Sequence, residues 1–593
     1  MRLKKPIVTV SAVALLALAA CGGSDDNGSG GPGPGGGPGG TQPTAVPSGG
    51  TAGQGKDPTR GTGPAPAISG AKTGGTVKVI SVAGLNTMDP TEAYYVNTAS
   101  ILSGLVTRSL TQYVYDEKAG DMILIPDLAT DLGRPNADFT QWKFTLRDGV
   151  KWEDGTPVTP EDVKFGIERS FDRTSFPEGA AYSNDYFLDG DTYKGPYKSP
   201  GDYKGVVIKG NTLTLKMAKP FPDMPYWGAF PAIGPIPQGD ASDPSKYALH
   251  PMSTGPYMFD QYTPEKSLTL VKNPNWDPAT DPGRHQYVDG YDMKFDVDTA
   301  KVDQILLQDT SDTLSYDNID AADYLDFQSN ASDRLVVGSA PCTAYWAPDY
   351  RKVTDINVRK ALAYAYPYKD VYAANGFITG VTRSYGTNLM PPGIPGRTEF
   401  NPLPGHDPGS TDTAKAKALL EQSNNLNYEI KFLYSTDDPA SVDAKDQIVK
   451  SLTAAGFKAT PVATTIAESS TVRADPDANI NVRSAGWCSD WPSGASWFPP
   501  VIQSTNLNEE GLGSNYGAFS EPAVDAKIDQ IQTLPLDQQA AAWNDLDKEV
   551  MTKYFPMFVT GYYGAAMMRA SDVNGFRDDT VFSMPTWKDI WLS

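Results

Sequence analysis

The sequence has few residues of the types that hold metal ions. Its 593 residues include three cysteines and three histidines, which are His250, His285 and His406. The histidines lie far apart, and none belongs to an HExxH motif or to the cysteine–histidine spacing of a zinc site. We therefore expect neither a metal site nor another cofactor.

Positive charge is also scarce. The chain has 50 lysines and arginines against 71 aspartates and glutamates, which gives a formal net charge of −21. Such a chain repels the phosphates of nucleic acids and the headgroups of anionic lipids. We expect no nucleic-acid partner, although an acidic surface is also common in secreted proteins and so does not name a partner.

Motifs for nucleophilic catalysis are missing as well. No GxSxG elbow occurs, and the SxxK pattern at Ser69–Lys72 lies in a stretch without a helical pattern to present it. Paired carboxylates for glycoside hydrolysis are defined by a distance and not by a sequence pattern. A hydrolase acting on peptide or glycan therefore stays an alternative.

Long apolar runs are confined to the N-terminus. Basic residues precede an apolar run from Ile7 to Ala20, which is shorter than the ~20 residues of a membrane helix. This pattern predicts a signal peptide over residues 1–20. Its end, LAAC, resembles the lipobox of bacterial lipoproteins, so we expect Cys21 to carry a lipid on the extracellular face of the cytoplasmic membrane. An ordinary signal cleaved near Ala20 is the alternative.

The next stretch, to about Gly74, consists mainly of Gly, Pro, Ser, Thr and Asp. Such a composition buries too little apolar surface to offset the entropy of ordering. We expect residues 21–74 to be a disordered tether for a folded body over residues 75–593.

The folded body shows the alternating pattern of an α/β protein. Within Asn427–Thr464, Asp438 can cap a helix that ends at Gly456, and a β-rich run lies on each side of that helix. This is the pattern of a βαβ unit with parallel strands. Further helices are predicted after Thr159 and Asp355, and further strands at Thr76–Val82, Thr212–Met217 and Ser267–Asn273.

The segment GWCSDW places Asp490 between Trp487 and Trp491. A carboxylate between apolar rings loses hydration and needs compensation. The compensating group is either a nearby arginine such as Arg483 or a cationic group of a ligand. Two other interpretations of the segment are that Cys488 is a reactive thiol or that it is a metal ligand.

Cys342 and Cys488 remain when Cys21 is lipidated. An even pair of cysteines in an oxidising compartment is typically bridged. We therefore expect a disulfide between Cys342 and Cys488.

One family pattern runs through the folded body. The segment LRDGVKWEDGTPVTPEDVKFGIERSFD, residues 146–172, resembles the signature of the extracellular solute-binding proteins of family 5, which serve dipeptide and oligopeptide ABC importers. STGPYMF, LVKNPNW, DINVRKALAYA and GSNYGAFSEPAVDAKID follow in the family's order. The resemblance covers residues 75–593, but the sequence departs from the family where WPSG follows Asp490.

The resemblance implies a periplasmic-binding-protein type II fold with two lobes and an additional subdomain. We expect the first lobe at about residues 75–105, 220–341 and 562–593. The extra subdomain then covers about residues 106–219, and the second lobe about residues 342–561.

The resemblance also implies a non-enzymatic, monomeric receptor. Such a receptor captures a small peptide between its lobes and delivers it to an ABC permease driven by ATPase subunits. An oligosaccharide is the alternative ligand for the same fold. The few histidines argue against nickel.

In the family, the aspartate of the GW-x-x-D segment receives the α-amino group of a peptide, and Asp490 occupies that position here. Gly486, Trp487 and Trp491 flank it, and Cys488 would fix the adjacent backbone. The resemblance implies four further ligand contacts, each as well explained by packing, and they are Tyr94, Tyr95, Asn515 and Tyr516.

Overall fold

The computed structural model describes residues 55–199, 201–507 and 511–593. The predicted signal peptide, the lipidation site at Cys21 and the first part of the predicted tether lie outside the described residues. In the described part, no helix combines the length and the apolar character needed to cross a bilayer.

The described residues form short helices and strands in alternation. The strands are β1 Gly55–Lys56, β2 Thr76–Ile80, β3 Thr111–Asp116, β4 Asp121–Pro126, β5 Arg134–Pro135, β6 Gln141–Thr145, β7 Val206–Lys209, β8 Thr212–Lys216, β9 Tyr257–Thr263, β10 Ser267–Lys272, β11 Gly290–Lys294, β12 Thr313–Ser315, β13 Leu335–Pro348, β14 Arg383–Ser384, β15 Glu429–Ser435, β16 Lys458–Thr464, β17 Val482–Cys488, β18 Phe558–Arg569, β19 Val573–Asn574, β20 Asp578–Asp579, β21 Met584–Pro585 and β22 Trp591–Leu592. The α-helices are α1 Val96–Ile101, α2 Pro160–Arg169, α3 Tyr182–Tyr186, α4 Met224–Trp227, α5 Pro244–Tyr247, α6 Thr299–Leu307, α7 Ala321–Asn330, α8 Ile356–Ala365, α9 Tyr368–Ala374, α10 Thr413–Gln422, α11 Pro439–Ala454, α12 Ile466–Ala474, α13 Phe498–Ile502, α14 Pro522–Gln532 and α15 Leu536–Glu549.

The predicted helix starts are confirmed. Thr159 and Asp162 cap α2 reciprocally, each side chain bonding to the other residue's backbone N–H. Asp438 accepts a hydrogen bond from the backbone of Ala440 at the start of α11, and Asp355 caps α8 in the same way. The βαβ unit is also confirmed, because β15 and β16 on either side of α11 pair in parallel.

The largest sheet has nine strands in the order β17-β13-β18-β12-β2-β11-β10-β9, with β14 also paired to β18. The two longest strands, β13 and β18, run antiparallel through its middle. Their pairing is regular up to Ser339, and the register then shifts twice, between Ser339 and Thr343 and again between Ala344 and Tyr345. The sheet is therefore interrupted over the short stretch from Ser339 to Tyr345 of its two longest strands.

Two large apolar clusters lie on either side of this interruption. The first is built mainly from residues 77–315 and 565–592, and the second from residues 345–562. The division runs close to the predicted lobe boundaries at 341/342 and 561/562, which stay predictions. Trp491 is an exception, since it belongs to the first cluster although its neighbours in sequence belong to the second.

The end of the predicted tether is wrong, because residues 55–74 lie against the folded body. β1 adds to the edge of β4 in parallel register. Arg60 forms an ion pair of 3.1 Å with Asp116, and the backbone N–H of Ile68 donates to the Tyr287 hydroxyl at 3.1 Å. A segment poor in apolar side chains can still be held in this way, since strand addition uses main-chain hydrogen bonds.

Candidate functional site

Strand β17 carries the first half of the GWCSDW segment and presents two different faces. Ala485 and Trp487 are buried on one face, and the indole N–H of Trp487 donates to the carbonyl of Ser496 at 2.8 Å. Gly486 and Cys488 are only half-buried on the other face. The alternation continues past the end of the strand, so half-buried Asp490 lies on the face of Gly486.

The predicted disulfide is present. Cys342 of β13 stands directly opposite Cys488 of β17, and the two sulfurs are bonded. The bond joins the two strands beside the register shift of β13. It thereby fixes the backbone two residues before Asp490.

Asp490 is held by two phenols from distant parts of the chain. The Tyr94 hydroxyl, before α1, donates to Asp490 Oδ2 at 2.8 Å. The hydroxyl of Tyr182, in α3, donates to the same oxygen. Three regions that are far apart in sequence therefore converge on one carboxylate.

The carboxyl of Asp490 has an unusual protonation equilibrium. Burial raises its pKa from 3.8 to about 7, although the hydrogen bonds from Tyr182 and Tyr94 oppose this rise. Across the described ranges, no lysine, arginine or histidine makes an ion pair with Asp490. The site is thus a desolvated carboxyl group with no cationic partner among the described residues.

The alternative pairing with Arg483 is wrong. Arg483 Nη1 lies 3.1 Å from Asp349 Oδ2, and both side chains are fully buried. The reason is strand alternation, which places Arg483 on the buried face of β17 with Ala485 and Trp487. Asp490 lies on the opposite face.

Trp491 attaches this segment to the first apolar cluster. Its indole N–H donates to Asp223 Oδ1 at 3.1 Å, and its ring centroid lies 4.5 Å from that of Tyr182. Burial raises the pKa of Asp223 to about 6, against the hydrogen bonds from Ser493 and Trp491 and the charge of Lys56. Trp487 and Trp491 are therefore anchored in different clusters, with Asp490 between them.

The remaining predicted contacts are divided in their placement. The hydroxyl of Tyr94 donates a hydrogen bond to Asp490. The next residue, Tyr95, has a pKa that burial and the neighbouring Glu178 raise to about 12. The amide of Asn515 exchanges hydrogen bonds with the backbone of Phe519, and Tyr516 is buried in the second cluster. Tyr95, Asn515 and Tyr516 stay predictions as ligand contacts.

Sequence reasoning missed Tyr182 and Asp223. Tyr182 is 308 residues from Asp490, and no motif in the short α3 helix singles it out. Asp223 stands at the start of α4 among aromatic residues, a pattern that indicates packing as readily as function. Only the fold brings these residues to the GWCSDW segment.

The sequence of this chain is similar to a family of known proteins. Residues 124–509 match the family described as bacterial extracellular solute-binding proteins, family 5 Middle. The probable D,D-dipeptide-binding periplasmic protein DdpA of Escherichia coli is 24% identical over 56% of this chain and 59% of its own length. The periplasmic oligopeptide-binding protein OppA of E. coli is 22% identical over 71% of this chain and 77% of its own length.

Solved structures agree in fold. The structure of clavulanic acid biosynthesis oligopeptide binding protein 2 has a TM-score of 0.81 at 23% identity, covering 93% of this chain and 99% of that one. The unliganded open form of the murein tripeptide-binding protein MppA has a TM-score of 0.65 at 18% identity, covering 88% of this chain and 99% of that one. The fold is the predicted type II fold of periplasmic binding proteins, and the chain belongs to the family 5 bacterial extracellular solute-binding proteins.

Proposed function

We propose that this protein is the substrate-binding lipoprotein of an ABC import system and that its ligand is a short peptide with a free amino terminus. The observation that carries the ligand class is Asp490, a desolvated carboxyl group with no cationic partner in the described part of the chain. A peptide ammonium would supply the missing charge through a charge-assisted hydrogen bond. Relatives named for dipeptides, oligopeptides and murein peptides support this choice.

The mechanism is closure of two lobes around the ligand. Tyr94 and Tyr182 reach Asp490 from outside the second apolar cluster, so a ligand at this carboxylate contacts both sides of the junction. A ligand that binds the closed form more tightly shifts the population toward closure. The permease then recognises the closed receptor.

The cellular setting belongs to the same proposal. A lipid on Cys21 would hold the monomeric receptor at the extracellular face of the cytoplasmic membrane, beside its permease and ATPase subunits. Labelling of growing cells with a clickable fatty acid tests the anchor. Loss of label in Cys21→Ala supports it, and retention of label refutes it.

The ligand proposal is tested in two steps. Native mass spectrometry of the freshly purified protein identifies a bound peptide, and calorimetry then compares that peptide with its N-acetylated form. Acetylation removes the ammonium, so we expect a loss of roughly thirty-fold or more, the range for truncating one partner of a buried charge pair. Asp490→Ala should lose a similar factor.

Other outcomes favour the alternatives. Equal affinity for the free and acetylated peptides refutes the role of Asp490, and a co-purified oligosaccharide identifies the other ligand class. Catalytic consumption of peptide or glycan by the purified protein would show a hydrolase. A receptor instead binds stoichiometrically and gains thermal stability from its ligand.

A further inference from the structure

Residues 55–74 contact the folded body at several points. β1 pairs with β4, and a Cβ atom on Gly63 would lie only 2.5 Å from the carbonyl oxygen of Pro278. A larger residue therefore does not fit at position 63 while the segment stays attached. The glycines that predict a disordered tether thus also allow the backbone to approach the body this closely.

One side chain of the body, His285, bridges to this segment. Its Nε2 atom lies 2.9 Å from the carbonyl oxygen of Pro66, which belongs to the segment. Its Nδ1 atom lies 3.1 Å from the carbonyl oxygen of Lys588 and 3.4 Å from Asp589 Oδ1. Each ring nitrogen therefore faces a carbonyl group, one on either side of the contact.

This arrangement distinguishes between the protonation states of the histidine. A carbonyl oxygen only accepts hydrogen bonds, and a neutral imidazole has a single N–H to donate. The neutral ring can therefore donate to Pro66 or to Lys588, but it leaves the other carbonyl against a nitrogen lone pair. The doubly protonated ring donates to both, so attachment of the segment favours the cation.

The surroundings of the ring also favour its charged form. His285 and Asp589 are largely buried, with 12% and 15% of their side-chain surfaces exposed. Burial lowers the pKa of His285, but the hydrogen bond and charge of Asp589, together with the two carbonyl groups, raise it above 6.5 overall. The folded protein therefore binds this proton more tightly than an exposed histidine does.

Other charged groups on the surrounding elements have partners of their own. Lys588 directs its ammonium to Gln112 at 3.0 Å, and Arg577 lies 3.9 Å from Asp589 Oδ2, the oxygen that does not face the ring. Arg284 forms buried ion pairs with two aspartates. Asp589 is therefore the charged group that acts most directly on the ring.

Tyr287 joins the ring of His285 to a second attachment point. The Tyr287 hydroxyl accepts from the backbone N–H of Ile68, and its carbonyl accepts from the backbone N–H of Gly74 at 2.9 Å. The segment itself brings no charge to the ring, because Pro66 lies between two alanines. The rings of His285 and Tyr287 stack with their centroids 4.7 Å apart and their planes 10° from parallel. Since an aromatic face attracts cations, this stack favours the protonated histidine as well.

We propose that His285 is a pH-dependent clamp that fastens residues 55–74 to the folded body when both ring nitrogens carry a proton. Loss of one proton breaks one of the two hydrogen bonds and removes the charge opposite Asp589. Because the pKa of His285 is raised in the attached state, the stabilisation is fully present below pH ~6.5 and is lost as the pH rises through the raised pKa. A rise in pH therefore releases the segment.

The clamp determines where a membrane anchor would be joined to the receptor. With residues 55–74 attached, the chain that follows Cys21 meets the body at β1, where Lys56 Nζ lies 4.2 Å from the ring centroid of Tyr226. Tyr226 belongs to α4, which begins after Asp223, the partner of the GWCSDW segment. Release of the segment moves this junction to the start of β2 and lengthens the link. This consequence rests on the proposed lipid anchor, whereas the clamp itself does not.

The test is hydrogen–deuterium exchange of the whole protein, without ligand, between pH ~5.5 and pH ~8.5. The exchange rate of the amides in residues 57–74 is compared with their intrinsic chemical rate at each pH, which gives a protection factor. The variants are His285→Gln, which keeps a hydrogen-bond donor but does not titrate, and His250→Gln as the matched control. His250 also has a ring nitrogen 3.1 Å from a carbonyl oxygen, that of Phe259, and an acidic neighbour, Glu153, at 3.8 Å.

In the native protein the protection factor should fall about tenfold over this pH range, since a charge-assisted hydrogen bond is stronger than a neutral one by about that factor. His250→Gln should keep the fall, whereas His285→Gln should show the same, lower protection factor at every pH. Gly63→Ala should lose the protection at every pH, because its Cβ atom meets the carbonyl of Pro278. Helix α11 serves as the internal reference, because a change in the stability of the whole protein would alter its protection too.

Three results would overturn the clamp. A protection factor of the native protein that does not change with pH would exclude a titrating contact. An equal fall in His285→Gln would place the titrating group elsewhere. Protection that persists in Gly63→Ala would show that it does not come from the attached segment. These results leave the proposed peptide receptor intact, because no ligand is used and His285 is not among the proposed ligand contacts.

Discussion

Asp490→Asn should make the ligand-free protein more stable at pH 8 while weakening its ligand binding. The asparagine side chain keeps the shape of aspartate and an oxygen that can accept from Tyr94 and Tyr182. It removes the need to ionise a desolvated carboxyl group. Stability and function should therefore change in opposite directions.

The magnitude follows from the pKa of Asp490. In the folded protein burial raises this pKa to about 7 from an ordinary value of 3.8. Below pH ~4 the carboxyl is protonated in both folded and unfolded chains, so it contributes no penalty. As the pH rises to about 7, the unfolded chain ionises first, and the folded state loses about 1.4 kcal/mol per pH unit. The full loss is at most about 4 kcal/mol, and the residual exposure of Asp490 reduces it.

The assay is urea unfolding of the native protein and of Asp490→Asn between pH 4 and pH 8. The difference in the free energy of unfolding should grow with pH and level off near pH 7. Parallel stability curves for the two proteins would refute the reasoning, because they would show that Asp490 titrates alike in the folded and unfolded chains.

Asp349 provides a control of opposite sign within the same chain. Burial alone would raise its pKa, but the hydrogen bonds and charges of Arg351 and Arg483 lower it below its ordinary value. Its contribution to stability is thus present above the unfolded pKa and is lost as the pH falls through the folded pKa. Asp349→Asn should destabilise the protein at pH 8, where Asp490→Asn stabilises it.

Three further predictions concern binding and the attachment of segments. A peptide ammonium favours the ionised form of Asp490, so the Kd for a peptide, measured by calorimetry, should rise about tenfold for each pH unit below pH ~7. Asp490→Asn should remove this pH dependence. A Kd of the native protein that does not change with pH would contradict the role of Asp490 as the ammonium site. Residues 55–74 form main-chain hydrogen bonds and an ion pair with the folded body. A protein that lacks residues 1–74 should therefore be about 2 kcal/mol less stable in urea unfolding than one that lacks only residues 1–54. Equal stability of the two would show that residues 55–74 are not attached in solution. Replacing Cys342 and Cys488 by serine removes a disulfide that closes a loop spanning 146 residues in sequence, and it should cost up to about 5 kcal/mol of stability in the same assay. Unchanged stability would show that the disulfide does not stabilise the fold.

Local rules predicted much of the fold. Thr159, Asp355 and Asp438 mark helix starts because capping depends on residues only a few positions apart. The disulfide was also predictable, since few cysteines leave few possible pairs. In both cases the determining interaction is visible in the residue types alone.

The composition of the candidate site depends on long-range packing. Asp490 could be singled out from its neighbours, but its contact with Tyr182 joins regions that no local pattern connects. Strand alternation alone could have excluded Arg483, because positions 483 and 490 have opposite parity. The attachment of β1 was not predictable from side chains, since main-chain pairing leaves little trace in composition.

The register shift of β13 and β18 has a consequence for the kinetics of ligand release. The irregular stretch from Ser339 to Thr343 is where the two long strands can bend most easily, and the disulfide ties Cys342 to β17 at its edge. In the proposed closure, bending there would move the first cluster while the disulfide keeps Asp490 in place relative to β17. Under the proposed mechanism, a ligand would dock on the second cluster before closure, and its departure would wait for the strands to bend open. Under the proposed closure, the rate of dissociation would then depend on the stiffness of this short stretch of backbone, which makes none of the proposed contacts with the ligand.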